Sequence, residues 1–145
     1  VSKFAQGKFT LKNTEKYVGT KTPTYRSSWE HTFMMFCDNH PNIIQWASEA
    51  VQIPYRNPVT GKQSIYVPDF FVMYEDKNGN RRAEIVEVKP SSQATMEAAG
   101  KNNQNKLSVV VNTAKWQAAQ IWCRRQQITF RVITEKDIFR QGQKR

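Results

Sequence analysis

The chain has 145 residues and a formal net charge of +10, from 22 Lys and Arg against 12 Asp and Glu, with a pI of about 9.8. That length fits one domain with one core, and two cysteines, Cys37 and Cys123, are too few for a disulfide framework. No apolar run approaches transmembrane length and the opening residues are not a signal peptide, so the expectation is a soluble, intracellular protein whose excess of cations favours a polyanionic partner such as nucleic acid.

Residues 1–25 carry Lys3, Lys8, Lys12, Lys16 and Lys21 among the breakers Gly7, Gly19 and Pro23, with no sustained periodicity. They read as a basic N-terminal arm ahead of a single domain over residues 26–145. A helix is expected from about Ser28. Ser27 stands three residues before Glu30, the spacing of a capping box, and Trp29, Phe33 and Phe36 follow at helical intervals until Asn39-His40-Pro41 stops it. Residues 43–55 read as extended with a break at Pro54, and residues 56–62 as a turn between two strands.

A hairpin follows. Residues 64–74 form one strand, residues 75–80 a loop containing Asn78-Gly79, and residues 82–89 the partner strand, stopped by Pro90. From residue 92 to 125 the composition favours helix. Gly100 divides it, giving one helix before that glycine and a second from Asn112 to Arg125, with Ala114, Ala118, Ile121 and Trp122 on one face. Residues 128–133 form a last strand, residues 134–137 a turn or short helix, and residues 141–145 a basic tail. The order predicts an α/β or α+β domain with a mixed central sheet flanked by helices.

The chemistry concentrates in the hairpin. With the turn centred on Asn78, residue i faces residue 156−i, and Asp69 sits opposite Glu87. Strand alternation then puts Asp69, Phe71 and Met73 on one face with Ile85, Glu87 and Lys89, and Phe70, Val72, Val86 and Val88 on the other. A slip of one residue would break this arrangement. Strands apolar on both faces belong in the interior of a sheet. Like charges facing each other there destabilise the sheet unless something offsets them. A hard divalent cation does so, taking oxygen ligands from one or two carboxylates, with the Val88 carbonyl as a further donor. Lys89 projects to the same side, where an ammonium orients a water or stabilises transition-state charge. Acid, acid and lysine are what metal-assisted phosphodiester hydrolysis requires.

Val67-Pro68-Asp69-Phe70 followed by Glu84-Ile85-Val86-Glu87-Val88-Lys89-Pro90 resembles the PD-(D/E)xK nuclease superfamily. The run from Thr22 to Lys89, including Tyr25-Arg26-Ser27-Ser28-Trp29-Glu30, is most similar to TnsA-type transposon-end nucleases and to the head-completion nucleases of T-even-like tailed phages. The resemblance implies a restriction-endonuclease-like core, Mg²⁺ (with Mn²⁺ as a substitute), and Glu30 as a third acidic residue of the metal site. It also implies a DNA substrate, a role in phage head completion before head–tail joining, phage head or portal proteins as partners, and a place in the host cytoplasm during assembly or on the virion. On the residues alone, Glu30 reads equally as the N3 carboxylate of a capping box.

Other residues carry weaker signals. Glu49 reads as a surface carboxylate at a strand edge or a further ligand. Arg26, Gln104, Lys106, Lys115, Arg124 and Arg125 are candidate DNA contacts, alongside Arg131, Arg140, Lys144 and Arg145. Cys37-x-x-His40 is half a zinc site with no second pair, so a cysteine packed in a helical core is the expectation. The rival functions are a basic, non-cutting DNA- or portal-binding protein of the phage head or neck, and a junction-resolving or transposon-end nuclease. A homodimer would supply two sites for a double-strand cut.

Overall fold

A computed structural model describes residues 6–137. Its elements in chain order are β1 (Gly7–Lys8), β2 (Thr24–Tyr25), α1 (Ser28–Asn39), β3 (Ile43–Ser48), β4 (Ile53–Arg56), β5 (Gln63–Tyr66), β6 (Phe70–Glu75), β7 (Arg81–Val88), α2 (Met96–Ala99), α3 (Asn103–Arg125) and β8 (Thr129–Ile133). Four strands form the central sheet in the order β3-β6-β7-β8, antiparallel except for the parallel pair β7–β8. The parallel pair needs a crossover, which α3 provides. The sheet is therefore mixed and flanked by helices, as the order of elements predicts.

The register of the β6–β7 hairpin is the predicted one: Phe70 pairs with Val86 and Phe71 with Ile85. Alternation then sorts the side chains onto two cores. Phe70, Val72, Val86 and Val88 pack with Phe33, Met34 and Cys37 of α1 and with Trp46. Phe71, Ile85 and Phe130 lie on the other face with Ala119 and Cys123 of α3. Over Phe70–Met73 and Ile85–Val88 these two strands are covered on both faces, which explains why Glu87 is the one charged side chain in those stretches.

Several boundaries differ from expectation. Residues 64–74 are two strands. Pro68 is fully buried and has no N–H for a ladder bond, so the chain leaves the β4–β5 ribbon at Tyr66 and enters the central sheet at Phe70. Residues 43–55 are likewise broken, where Glu49 adopts a left-handed backbone (φ 51°). Pro54 does not break β4; it pairs with Ile65 in a two-stranded ribbon, where a proline is tolerated.

Asn112 does not begin a helix. The cap is Asn102, whose Oδ1 accepts the Asn105 N–H at 2.9 Å, and α3 runs unbroken through Val109-Val110-Val111. Its buried stripe is Val109, Asn112, Ala119 and Cys123, while Ile121 is exposed. Tertiary burial of Val109 outweighs the modest helix cost of β-branched residues.

Residues 6–25 do not stand apart as an arm. Phe9 joins the core under α1, and Asp38, buried in α1, accepts the backbone N–H groups of Lys12 and Asn13 at 2.9 and 3.1 Å. The basic tail over residues 141–145, with Arg140, Lys144 and Arg145, lies outside the described residues. Among those described, no helix is long and apolar enough to cross a membrane.

Candidate active site

The hairpin's open end, one rung beyond the β6–β7 ladder, carries the acids. Asp69 is fixed at three points. Its N–H donates to Glu87 Oε1 at 3.1 Å, its carbonyl accepts the Glu49 N–H at 2.9 Å, and its carboxylate Oδ2 accepts the Val88 N–H at 2.8 Å. Glu87 is only 4% exposed. In an extended strand a residue's N–H and C=O leave on the same edge, so the Val88 carbonyl faces the Asp69 side as well. Each carboxylate thus spends one oxygen on backbone and keeps the other. Lys89 Nζ lies 3.7 Å from the remaining oxygen of Glu87. The Lys89 N–H is itself held by the Ile133 carbonyl at 3.0 Å, so β8 steadies the strand end from the other edge.

Electrostatics set this pair apart. Burial holds the Asp69 carboxyl well above the ordinary carboxylate range, and the charges of Glu87 and Glu30 push it further the same way. Burial also raises Glu87, opposed by Lys89 and by the hydrogen bond from Asp69. Two acids that resist ionising side by side lack positive charge.

Glu30 sits at the first turn of α1. Ser27 Oγ accepts the Glu30 N–H at 3.1 Å, the expected cap. The return contact goes one residue further than a standard capping box, with Glu30 Oε1 accepting the Arg26 N–H at 3.3 Å. Burial raises the Glu30 pKa, while Arg26 and Lys89 lower it. Glu30 is therefore felt by the acid pair, yet among the described residues no three of His, Cys, Asp and Glu meet at metal-holding geometry. A three-carboxylate cage is absent there. The donor set that remains is Asp69, Glu87 and the Val88 carbonyl, which suits a hard cation that keeps several waters.

Arg26 pairs with Glu49 at 2.7 Å. Glu49 is thus neither an isolated surface carboxylate nor part of a closed ligand set; its N–H fixes Asp69 and its carboxylate engages Arg26. Sequence reasoning missed Tyr55 and Tyr66, on the ribbon beside the site. Lys115 Nζ lies over both rings, 5.9 and 5.6 Å from their centroids. Among the described residues the buried Tyr66 hydroxyl and Trp116 Nε1 have no hydrogen bond of ordinary geometry, although Glu87 is near enough to act on the phenol, whose pKa burial raises. The sequence marks Tyr55 and Tyr66 as strand residues but says nothing of which ring meets which helix.

The remaining candidates separate. Gln104 and Lys115 share one face of α3, eleven residues apart, whereas Lys106 faces away from them at about 100° per residue. Arg124 lies about half a turn around the helix from Lys115; it and Arg125 are exposed in the last turn. Cys37 and Cys123 are buried in different cores and are not bonded, and His31 packs edge-on to Phe9 and Tyr25. Cys37 is helical core, as expected, whereas His40 is the C-cap of α1 and its Nδ1 accepts the Asn42 N–H.

The family model described as TnsA-like endonuclease N terminal matches residues 40–135. The chain belongs to the TnsA-like endonuclease family. That match contains Asp69, Glu87, Lys89 and Lys115, and leaves Glu30 outside it. The TnsA-like chain is also 36% identical over 139 residues to the head completion nuclease of Enterobacteria phage T4, an alignment covering 89% of this chain and 90% of that protein. It is a phosphodiester-cutting fold with its acids and lysine gathered at one end of the central hairpin.

Proposed function

We propose that the protein is a Mg²⁺-dependent DNA endonuclease that acts in phage head completion before head–tail joining. The observation that carries the chemistry is the Asp69–Glu87 pair, Glu87 buried and Asp69 half-buried, with Lys89 at its open side. Asp69, Glu87 and the Val88 carbonyl would hold the cation. When bound, a divalent ion neutralises the two carboxylates, polarises the phosphate and lowers the pKa of a bound water. The Lys89 ammonium orients the attacking water or stabilises charge on the phosphorus-centred transition state. Glu30, in the first turn of α1, adds its negative charge to the field that the acid pair presents to a cation.

The biological setting rests on the relative's name: a head completion nuclease of a phage, covered nearly end to end. DNA is then the substrate, head or portal proteins are partners, and the host cytoplasm during assembly or the virion is the location. A double-strand cut would call for two copies, each supplying one site.

Nicking of a supercoiled plasmid tests the chemistry. Wild type cuts with Mg²⁺ or Mn²⁺ and not with chelator; folded Asp69→Asn and Lys89→Ala lose at least about a hundredfold in rate, in line with loss of one preorganised charge-stabilising group. Cutting at the wild-type rate by either variant sinks the assignment.

A further inference from the structure

Next to the acid pair, a groove of about 360 Å³ runs between the β4–β5 turn and one stripe of α3. Asn57 and Thr60 line it from the turn, Gln104, Ser108 and Lys115 from the helix, and Lys89 at its end. Gln104, Ser108, Val111 and Lys115 follow at steps of four, three and four residues, which is one helical face. Among the described residues that line it there is no Asp or Glu. Two ammonium groups therefore border a cavity otherwise furnished with amides, hydroxyls and aliphatic carbons.

Neither cation is well matched. The Lys89 ammonium has one ion pair among the described residues, with Glu87 at 3.7 Å. Lys115 forms no ion pair among the described residues and rests on the rings of Tyr55 and Tyr66. Burial and the neighbouring Lys89 charge lower its pKa, while Glu87 and Asp69 raise it. A lysine kept only to cover two tyrosines would extend its head to water. Here the head stays half-buried beside a second lysine, an arrangement that an incoming anion relieves.

We propose that this groove is a subsite for a backbone phosphate of the DNA strand being cut, flanking the scissile one, with Lys115 as its cation. The amides and hydroxyls add neutral donors, so the subsite positions the strand without reading its bases. The inference rests on the nuclease reading of the acid pair and assigns the adjoining strand path.

The test is binding of a short DNA duplex across a range of salt, in an Asp69→Asn background that does not cut. Lys115→Gln is expected to weaken binding about tenfold and to reduce the slope of log K against log salt by about one, the signature of one lost phosphate contact. Lys115→Arg keeps the slope. Ser108→Asp, which sets a carboxylate into the groove and breaks no side-chain hydrogen bond among the described residues, weakens binding to a similar degree. Parental affinity and slope in folded Lys115→Gln overturn the proposal. If Lys115→Gln fails to fold, Ser108→Asp decides alone, with unchanged binding as the overturning result. Failure of the nuclease reading is distinct: the parent chain would not cut with Mg²⁺ or Mn²⁺, while the binding differences would persist.

Discussion

In Asp69 the N–H, the carbonyl and one carboxylate oxygen already have protein partners, and the other oxygen faces a like charge. Folding raises its pKa, chiefly by burial. A carboxyl raised in this way holds its proton more tightly folded than unfolded, so stability falls as pH climbs from the ordinary carboxylate range through the raised value. The metal-free protein should accordingly gain stability on mild acidification through that window. Asp69→Asn should raise Tm by a few degrees at neutral pH, about 4 °C for each kcal/mol in a chain of this size. An asparagine keeps an oxygen for Val88 and offers an N–H to Glu87. Thermal melts in chelator, at neutral and mildly acidic pH, check both; a lower Tm for the variant would mean the acid pair is not strained. At this scale the sequence was informative. Asp69, Glu87 and Lys89 stand out because acids in apolar strands are rare in a core, and their register follows from one turn. Tyr66 and Lys115 were not pairable from sequence, because their contact joins a ribbon to a helix through tertiary packing.

The elements show why boundaries were harder than register. Pro68 divides what alternation makes look like one long strand, and the division is what delivers Asp69 to the end of the sheet rather than to the ribbon. In α3 the misread residue was Asn112. Asparagine favours caps because its side chain competes for nearby backbone. Here it is buried in the middle of the helix, and its Nδ2 donates to the Gln93 carbonyl at 3.0 Å. That bond ties α3 to the turn following Lys89-Pro90, which Glu135 also holds through the Ser91 N–H and hydroxyl at 2.8 and 2.9 Å. Asn112→Ala leaves the part-buried Gln93 carbonyl without this donor and the Asn112 site with a small void, and should cost about 1–3 kcal/mol. Urea unfolding measures the loss, and a midpoint equal to wild type would show that the tether is dispensable.

Across the whole molecule, two apolar clusters separated by the central sheet replace the single core that length suggested. Trp46 anchors the cluster beneath α1, fully buried and edge-on to Phe9 and Tyr17. Trp46→Ala should cost about 3–5 kcal/mol. Trp46→Phe should cost clearly less, because it also removes an indole N–H that has no hydrogen-bond partner among the described residues. Equilibrium denaturation of the two variants checks the order, and equal losses would refute it. The division into two faces depends on α1 and α3 settling on opposite sides of the sheet.

The parallel pairing of β7 with β8 has a bearing on timing. The strand that ends at Lys89 is steadied by Ile133, which a growing chain produces only after all of α3. Contacts so distant along the chain form late, since the intervening loop must first close. A chain still emerging from the ribosome therefore has both acids but not the strand that sets its lysine. The capacity to cut is withheld until Ile133 has been made, and a chain that stops short of β8 lacks the hydrogen bond that holds Lys89 in place.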